Sequence, residues 1–407
     1  MDCKKAVLYI NKHLDRELSL RRRKKLEEHL KTCESCRYEF SSLKATVDFV
    51  TEVKLTKEAS FLSKYALLLK PEQTRKSSIQ IKWIAAGAVA ILVMAVIVIN
   101  INYNKIKISP TDRGLIYLQK TQNEDGSWGS SYSKKSVAIS SLAILGFLEE
   151  DSNISSKYSK EISKGISFLV KSAQPTVLIA DSSEGSIAMY SHAYAILALS
   201  KYYQITKKDE IKTYLEKAVA LAEICQNGRG GWRYRPVSSS QYDDDILVSS
   251  SVMLALIKAK EVGIFCENDV LAKGVEYIKS CACIDGGLKY FPENPQGLSN
   301  FVKTSSGVAV LLASNKISDK ETLNGIAYLN KISMEDQLKD QFYYYGLSFY
   351  AHHFEYSNNK NMLAVRGKIS KFLIAKQNKD GSWSDRIGDI YATAIATYVL
   401  QKNKRAA

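Results

Sequence analysis

Apolar residues follow three different patterns along this chain. In residues 1–70 they recur at three- and four-residue intervals, which is typical of short amphipathic helices. Residues 83–101, WIAAGAVAILVMAVIVINI, form a continuous apolar run without a single charge. Residues 111–403 alternate amphipathic segments with segments rich in Ser, Ala and Gly. These patterns predict an all-α protein with a small N-terminal module, one apolar helix and a large helical domain.

The apolar run has the length of a transmembrane helix. About twenty residues cross ~30 Å of hydrocarbon, and a segment in lipid must be helical to satisfy its backbone hydrogen bonds. A signal peptide would stand at the N-terminus, and a core helix of this length would be unusual if it were so uniformly apolar. The sequence therefore predicts a transmembrane helix over residues 83–102, preceded by an amphipathic helix and linker over residues 38–82.

Four potential metal ligands lie in residues 1–37. On a predicted helix, His29 and Cys33 are four residues apart and share one face, and Cys36 comes three residues later. Two thiolates and an imidazole in this spacing can bind tetrahedral Zn²⁺, and Cys3 can supply the fourth ligand. The alternative is a set of unrelated cysteines beside a surface histidine. We predict that these four residues hold a structural zinc ion, which would fasten helices too short to fold alone.

The residues around these ligands resemble a known family. The string HLDRELSLRRRKKLEEHLKTCESCR is similar to the zinc-binding anti-sigma fold, in which a Tyr-Leu-Asp-Gly-Glu-Leu-type turn precedes Leu-x-x-His-x3-Cys-x2-Cys. Arg16 stands where that turn usually has glycine. The resemblance implies that residues 1–37 bind an extracytoplasmic-function (ECF) sigma factor and keep it from RNA polymerase.

Two observations predict an orientation in a membrane. Lys and Arg are slightly more numerous before the apolar run than after it, and residues 21–25 add the run RRRKK. Zinc-binding thiolates also need a reducing compartment. We therefore expect a single-pass protein of the bacterial inner membrane, with a cytoplasmic N-terminus, an extracytoplasmic C-terminal domain and the lipid bilayer as a partner.

Residues 111–403 contain a repeat of about fifty residues. The signatures GLIYL, GISFL, GVEYI and GIAYL begin at Gly114, Gly165, Gly274 and Gly325, with variants at 218–222 and 369–373. Second apolar segments follow at 136–148, 189–202, 247–259, 302–313, 342–353 and 390–400. Because their small side chains let backbones approach closely, we predict six inner and six outer helices. An open solenoid is the alternative.

Three loops of this domain are near copies of one another. QNEDGSW, QNGRGGW and QNKDGSW begin at Gln122, Gln226 and Gln377. In each loop a glycine turn separates a glutamine, which can hydrogen-bond near a helix end, from a tryptophan that covers neighbouring helices. Such repeats resemble those of squalene cyclases and protein prenyltransferases, which implies an α/α toroid of about six helix pairs over residues 111–403.

Asp243, Asp244 and Asp245 are the candidate catalytic residues of this domain. They resemble the Asp-x-Asp-Asp motif of class II terpene cyclases, but Ile246 replaces its last aspartate. We interpret them as capping carboxylates, which favour a helix N-terminus. The zinc-binding pattern of prenyltransferases is not matched, and the three histidines of the domain are expected to be structural. The toroid is therefore expected to lack catalysis.

The net charge of +15 does not point to nucleic acid. The lysines are spread along the whole chain rather than gathered in one basic segment, so no direct nucleic-acid binding is predicted. The leading hypothesis is a membrane-anchored regulator whose zinc module sequesters an ECF sigma factor and whose toroid senses an unknown extracytoplasmic ligand or protein. The alternatives are a membrane-tethered enzyme of the terpene cyclase or prenyltransferase type and a non-catalytic toroid scaffold.

Overall fold

A computed structural model describes the two predicted folded parts of the protein. The described residues are Cys3, Ala6, Tyr9, residues 19–33, 36–37 and 40, and residues 108–405 except 151–156, 185–186, 237–243, 295–296, 338–339, 341 and 357–359. The chain divides into two units by its internal contacts, Met1–Lys105 and Ile106–Ala407. The predicted zinc module lies in the first unit and the predicted toroid in the second.

The first unit is organised around helix α1 (Leu20–Thr32). Ser19 precedes the helix in an extended conformation, as an N-cap residue does. Leu26 is buried and packs with Ala6 and the side chain of Cys36. This cluster of described residues is too small to stabilise a folded unit without a further cross-link or metal.

The second unit is built from pairs of helices. In chain order they are α2 (Pro110–Thr121), α3 (Val137–Glu150), α4 (Ser159–Lys171), α5 (Ala188–Thr206), α6 (Asp209–Ile224), α7 (Ile246–Glu261), α8 (Asn268–Ser280), α9 (Phe301–Ala313), α10 (Lys320–Lys331), the short α11 (Met334–Gln337), α12 (Tyr343–Tyr356), α13 (Lys360–Lys376) and α14 (Asp389–Arg405). The predicted apolar segments 136–148 and 247–259 correspond closely to α3 and α7.

Six of these helices form a closed inner ring. Helices α3, α5, α7, α9, α12 and α14 each pack against the next, and α14 packs back against α3. Helices α2, α4, α6, α8, α10 and α13 lie outside them and contact the inner helices. The predicted α/α toroid is confirmed, and the open solenoid is excluded because the last inner helix contacts the first.

The inner helices are buried around nearly their whole circumference. In α7, Ser249, Ser250 and Ser251 are as fully buried as the Val252 and Met253 that follow them. A helix that is enclosed on all sides needs small residues where neighbouring backbones approach, and serine can also satisfy its hydroxyl within the helix. The Ser- and Ala-rich composition seen in the sequence is thus the mark of the inner ring.

The Gln-Trp loops tie the outer layer together. Nε2 of Gln377 donates to the carbonyl of Pro110 at 2.8 Å, which joins the last repeat to the first helix of the toroid. Nε1 of Trp383 donates to the Leu373 carbonyl at 2.7 Å. The loops that begin at Gln122 and Gln226 make the same two kinds of bond. The repeated loop therefore serves as a seam between successive repeats.

The predicted membrane span requires a correction. No helix in the described part of the chain is both long and apolar enough to cross a membrane. This contradicts the transmembrane helix in the predicted fold class and the predicted inner-membrane localisation. The longest described helix, α5, contains His192, Lys201 and Gln204 and belongs to the inner ring. Residues 83–102 and 41–82 themselves lie outside the described residues.

Candidate functional site

The four predicted metal ligands come together in the first unit. Their ligand atoms, one from each of Cys3, His29, Cys33 and Cys36, all lie within 4.8 Å of one another. The Sγ atoms of Cys3 and Cys33 are 3.8 Å apart. Cys33 follows α1 directly, and its N–H donates to the carbonyl of His29 at 2.9 Å. The helix end therefore places an imidazole and a thiol side by side, as the spacing predicts.

The cluster has the chemistry of a metal site. Nε2 of His29 is buried and has no hydrogen-bond partner, although a buried nitrogen normally has one. Burial, together with hydrogen bonds from the neighbouring thiols, raises the pKa of the Cys36 thiol to about 12. The Cys36 thiol would therefore become a thiolate only with a cation to replace its proton. One imidazole and three thiolates suit tetrahedral Zn²⁺. The prediction that this cluster fits a structural zinc ion is therefore confirmed.

The predicted aspartates lie at the N-terminal end of α7, and Asp243 falls outside the described residues. Oδ1 of Asp245 accepts from the N–H groups of Leu247 at 2.6 Å and Val248 at 2.9 Å. The hydroxyl of Tyr290 donates to Oδ2 of Asp245 at 2.7 Å. Burial raises the pKa of Asp245, against the opposing hydrogen bonds. Both oxygens of this carboxyl are therefore engaged, and its role as a helix cap follows from the geometry.

The second aspartate takes part in an ion-pair chain. The guanidinium of Arg229 contacts both Asp244, which is fully buried, and Glu293 at the surface. Arg229 belongs to the Gln-Trp loop of residues 226–232, so this pair joins the loop to the start of α7. The arrangement holds two structural elements together.

The centre of the inner ring is nearly filled by side chains. The cavity beside Tyr194, Phe349, His352 and Tyr398 measures 10 Å³, which is room for about one water molecule. Small-molecule sites commonly enclose roughly 300–1,000 Å³. An isoprenoid substrate of the cyclase type therefore has no space along this part of the ring axis.

Two histidines of the toroid donate hydrogen bonds to backbone carbonyls inside the fold. Nδ1 of His192 accepts from the Ile179 N–H at 3.1 Å, and its Nε2 donates to the Ala218 carbonyl at 2.9 Å. Nε2 of His353 donates to the Ser305 carbonyl at 2.7 Å. Burial lowers the pKa of both imidazoles to about 4. Both are therefore neutral in the folded protein at pH 7, as structural residues.

The lowered pKa values of His192 and His353 predict that the toroid loses stability in mild acid. The unfolded chain binds protons at its histidines near pH 6.5, whereas His192 and His353 resist protonation until about pH 4. Stability is therefore complete above pH 6.5 and falls as the pH drops towards 4. At pH 5 we expect a loss of about 2 kcal/mol for each histidine relative to pH 7.5.

Urea unfolding followed by tryptophan fluorescence measures this effect. His192→Gln keeps a donor and an acceptor but cannot be protonated, so it should remove about 2 kcal/mol of the difference between pH 7.5 and pH 5. Equal free energies of unfolding for the unsubstituted protein at the two pH values would contradict the prediction.

Sequence reasoning missed a group of charged side chains at the other end of the inner ring. Glu149, Lys258, Glu355 and Lys402 come from four different helices and form ion pairs there. The one signal in the sequence is a charged residue near the C-terminal end of each helix. That signal resembles an ordinary solvated helix end, and only the closed ring brings the four together.

Residues 3–37 match a family model described as "Putative zinc-finger". In this segment the chain is similar to the members of that family. The modules of this family are typical of anti-sigma factors. No curated protein matches the chain.

Solved structures with the fold of the second unit are enzymes of several kinds. A GH76 α-mannanase from Bacteroides thetaiotaomicron shares 10% identity, with 73% of this chain and 95% of that chain covered and a TM-score of 0.55. The type II terpene cyclase MstE from Scytonema shares 12% identity, with coverage of 73% and 98% and a TM-score of 0.51. A cellobiose 2-epimerase from Spirochaeta thermophila shares 10%, with coverage of 72% and 94% and a TM-score of 0.52. At these identities the likeness concerns the fold alone.

Proposed function

We propose that this protein is an anti-sigma-factor-like regulator. In this proposal residues 1–37 bind an ECF sigma factor, and the toroid of residues 111–403 acts as a sensor or binding domain. The observation that carries it is the convergence of Cys3, His29 and the two following cysteines in a segment that matches a zinc-finger family typical of anti-sigma factors. Zinc ligation by these four residues holds α1 in place for the partner.

The exposed face of α1 supports contact with an acidic protein surface. Arg21, Arg22, Arg23, Lys24 and Lys25 are all exposed. Arg23 forms an ion pair with Glu27, and both of these side chains are more than half exposed. A concentrated basic face accelerates association with an acidic partner and makes it sensitive to salt.

Co-purification of the full chain with its sigma factor tests the proposal. The two proteins should elute together at low salt and separate more readily as the salt concentration rises. His29→Ala should abolish the association, because it removes a zinc ligand next to the basic face. His192→Gln is the matched control, since it changes a histidine of the toroid and should leave the association intact. Retention of the sigma factor by the His29→Ala protein would refute the proposed mode of binding.

The enzyme alternative receives less support from the toroid. Asp245 caps a helix, Asp244 is paired with Arg229, and the cavity beside Tyr194 and Phe349 measures only 10 Å³. If the toroid were purely a structural scaffold, its removal would leave the expression of the sigma-dependent genes unchanged. Expression of the sigma-dependent genes with and without residues 111–403 separates a sensor from a scaffold.

A further inference from the structure

A second cavity opens at the C-terminal ends of the inner helices. It measures 130 Å³ and is lined by residues of α3, α5, α7, α12 and α14. Leu145, Leu197, His352 and Tyr398 line both this cavity and the 10 Å³ cavity, so the larger one lies above the smaller on the ring axis. We call the 130 Å³ cavity the axial pocket. Since one water needs roughly 10–15 Å³, it can hold several waters or one small organic molecule.

The walls of the axial pocket carry alternating charges. Nζ of Lys402 lies 3.0 Å from Glu149, and Nζ of Lys258 lies 2.8 Å from Glu355. Lys402 also contacts Glu355, and Nζ of Lys201 is 3.4 Å from Glu149. The Glu149 side chain is only 2% exposed, and the ammonium groups of Lys201 and Lys402 lie beside it as counterions.

The charges of the pocket persist at neutral pH. Burial works against the ionisation of Glu355, but the hydrogen bond from His352 and the nearby lysines hold its pKa well below the usual range. Burial also works against the charge of Lys402, but Glu355 and Glu149 raise its pKa. Burial lowers the pKa of His352, which stays neutral. The pocket thus combines ammonium and carboxylate groups within a small volume.

One polar group of the pocket lacks a partner. The hydroxyl of Ser200 is buried and forms no hydrogen bond, although its side chain lines the cavity and is only 1% exposed. A buried hydroxyl without a partner is destabilising unless a bound molecule satisfies it. This observation is independent of the ion pairs, and it gives a molecule in the pocket a hydroxyl to bind.

The balance of charge selects the class of ligand. The lysines and glutamates of the lining are Lys201, Lys258, Lys402, Glu149, Glu261 and Glu355, and their charges cancel. A ligand with a net charge would leave one charge uncompensated in a largely buried place, which is costly. A ligand that carries one charge of each sign can exchange partners with an existing ion pair and leave every charge paired.

We propose that the axial pocket binds a small zwitterion of the amino-acid class. Its carboxylate would lie on the lysine ammonium groups, its ammonium on Glu149 or Glu355, and one of its polar atoms on the Ser200 hydroxyl. This inference rests on the proposed role of the toroid as a binding domain. It is independent of sigma-factor binding by residues 1–37, so each can fail without the other.

Calorimetric titration of the full chain tests the proposal. Glycine and L-alanine are the zwitterionic probes, and acetate, methylammonium and inorganic phosphate are the singly signed ones. Glycine or L-alanine should bind at least about tenfold more tightly than acetate or methylammonium, because only the zwitterions leave no charge unpaired. Binding of phosphate alone, equal binding of all probes, or binding of none would overturn the proposal.

Two serine variants locate the bound probe. Ser200→Ala should weaken glycine binding about 3- to 10-fold, by the loss of one hydrogen bond. Ser250→Ala is the matched control, since Ser250 is a fully buried inner-ring serine whose hydroxyl is also without a partner but does not line the pocket. Equal affinities of the two variants would remove the axial pocket as the binding site.

Discussion

Replacing Cys33 by serine is expected to abolish stoichiometric zinc binding and to unfold residues 3–37. Cys33 connects the end of α1 to the other three ligands, and its Sγ lies 3.8 Å from that of Cys3. The described core of this unit is small: it consists of Ala6, Leu26 and Cys36, with the partly buried Tyr9, Leu30 and Phe40 packed against them. Structural zinc contributes ~10–16 kcal/mol in small zinc-finger peptides. Loss of the metal should therefore remove most of the stability of the module, and chelation should do the same.

Elemental analysis and circular dichroism of the full chain check this result. One zinc per chain is expected for the unsubstituted protein and none for Cys33→Ser. Cys283→Ser is the matched control, because Cys283 is half-buried like Cys33 but belongs to the toroid. If Cys33→Ser retained one equivalent of zinc, or if both variants lost it, the assigned ligand set would be wrong.

Replacing Trp383 by alanine is expected to destabilise the toroid by ~3–5 kcal/mol, the usual cost of truncating a fully buried large aromatic residue. Trp383 is completely buried in the loop that joins the last repeat to the first. Its Nε1 donates to Leu373, its N–H donates to the hydroxyl of Thr393, and the same loop places Gln377 on Pro110. A cavity at this position therefore weakens the closure of the ring as well as the local packing.

Thermal or urea unfolding measures the effect. Trp383→Phe keeps most of the apolar volume and loses the indole hydrogen bond, so it should be less destabilising than Trp383→Ala. Tyr132→Ala is a control for aromatic truncation in a nearby loop, because Tyr132 is 75% exposed and should change stability by less than ~0.5 kcal/mol. Similar effects of Trp383→Ala and Tyr132→Ala would show that this Gln-Trp loop does not contribute to the stability of the toroid.

Local chemistry made the zinc cluster predictable. His29 and Cys33 are one helical turn apart, and Cys36 follows within three residues, so their proximity requires only that α1 is a helix. The contribution of Cys3 depends on a contact across thirty residues, and sequence reasoning could include it only because tetrahedral zinc needs a fourth ligand.

The membrane prediction shows where a local pattern is insufficient. The apolar run of residues 83–102 satisfied the length criterion for a span, but no described helix meets that criterion, and the run lies outside the described residues. Within the toroid, α5 is long and largely buried, yet its polar residues belong to a ring of helices rather than to lipid contact.

The sequence by itself determined the helical repeats, their inner and outer members and the zinc ligands, because each depends on spacing within one or two helical turns or on a loop that is repeated nearly unchanged. Only the tertiary structure decided that the ring closes, that Asp245 is a helix cap, and that the ring centre is nearly filled. It alone assembled the axial pocket, whose charged residues are separated by up to 253 positions between Glu149 and Lys402. Such groups meet through the packing of whole helices, and no short-range pattern in a chain records that packing.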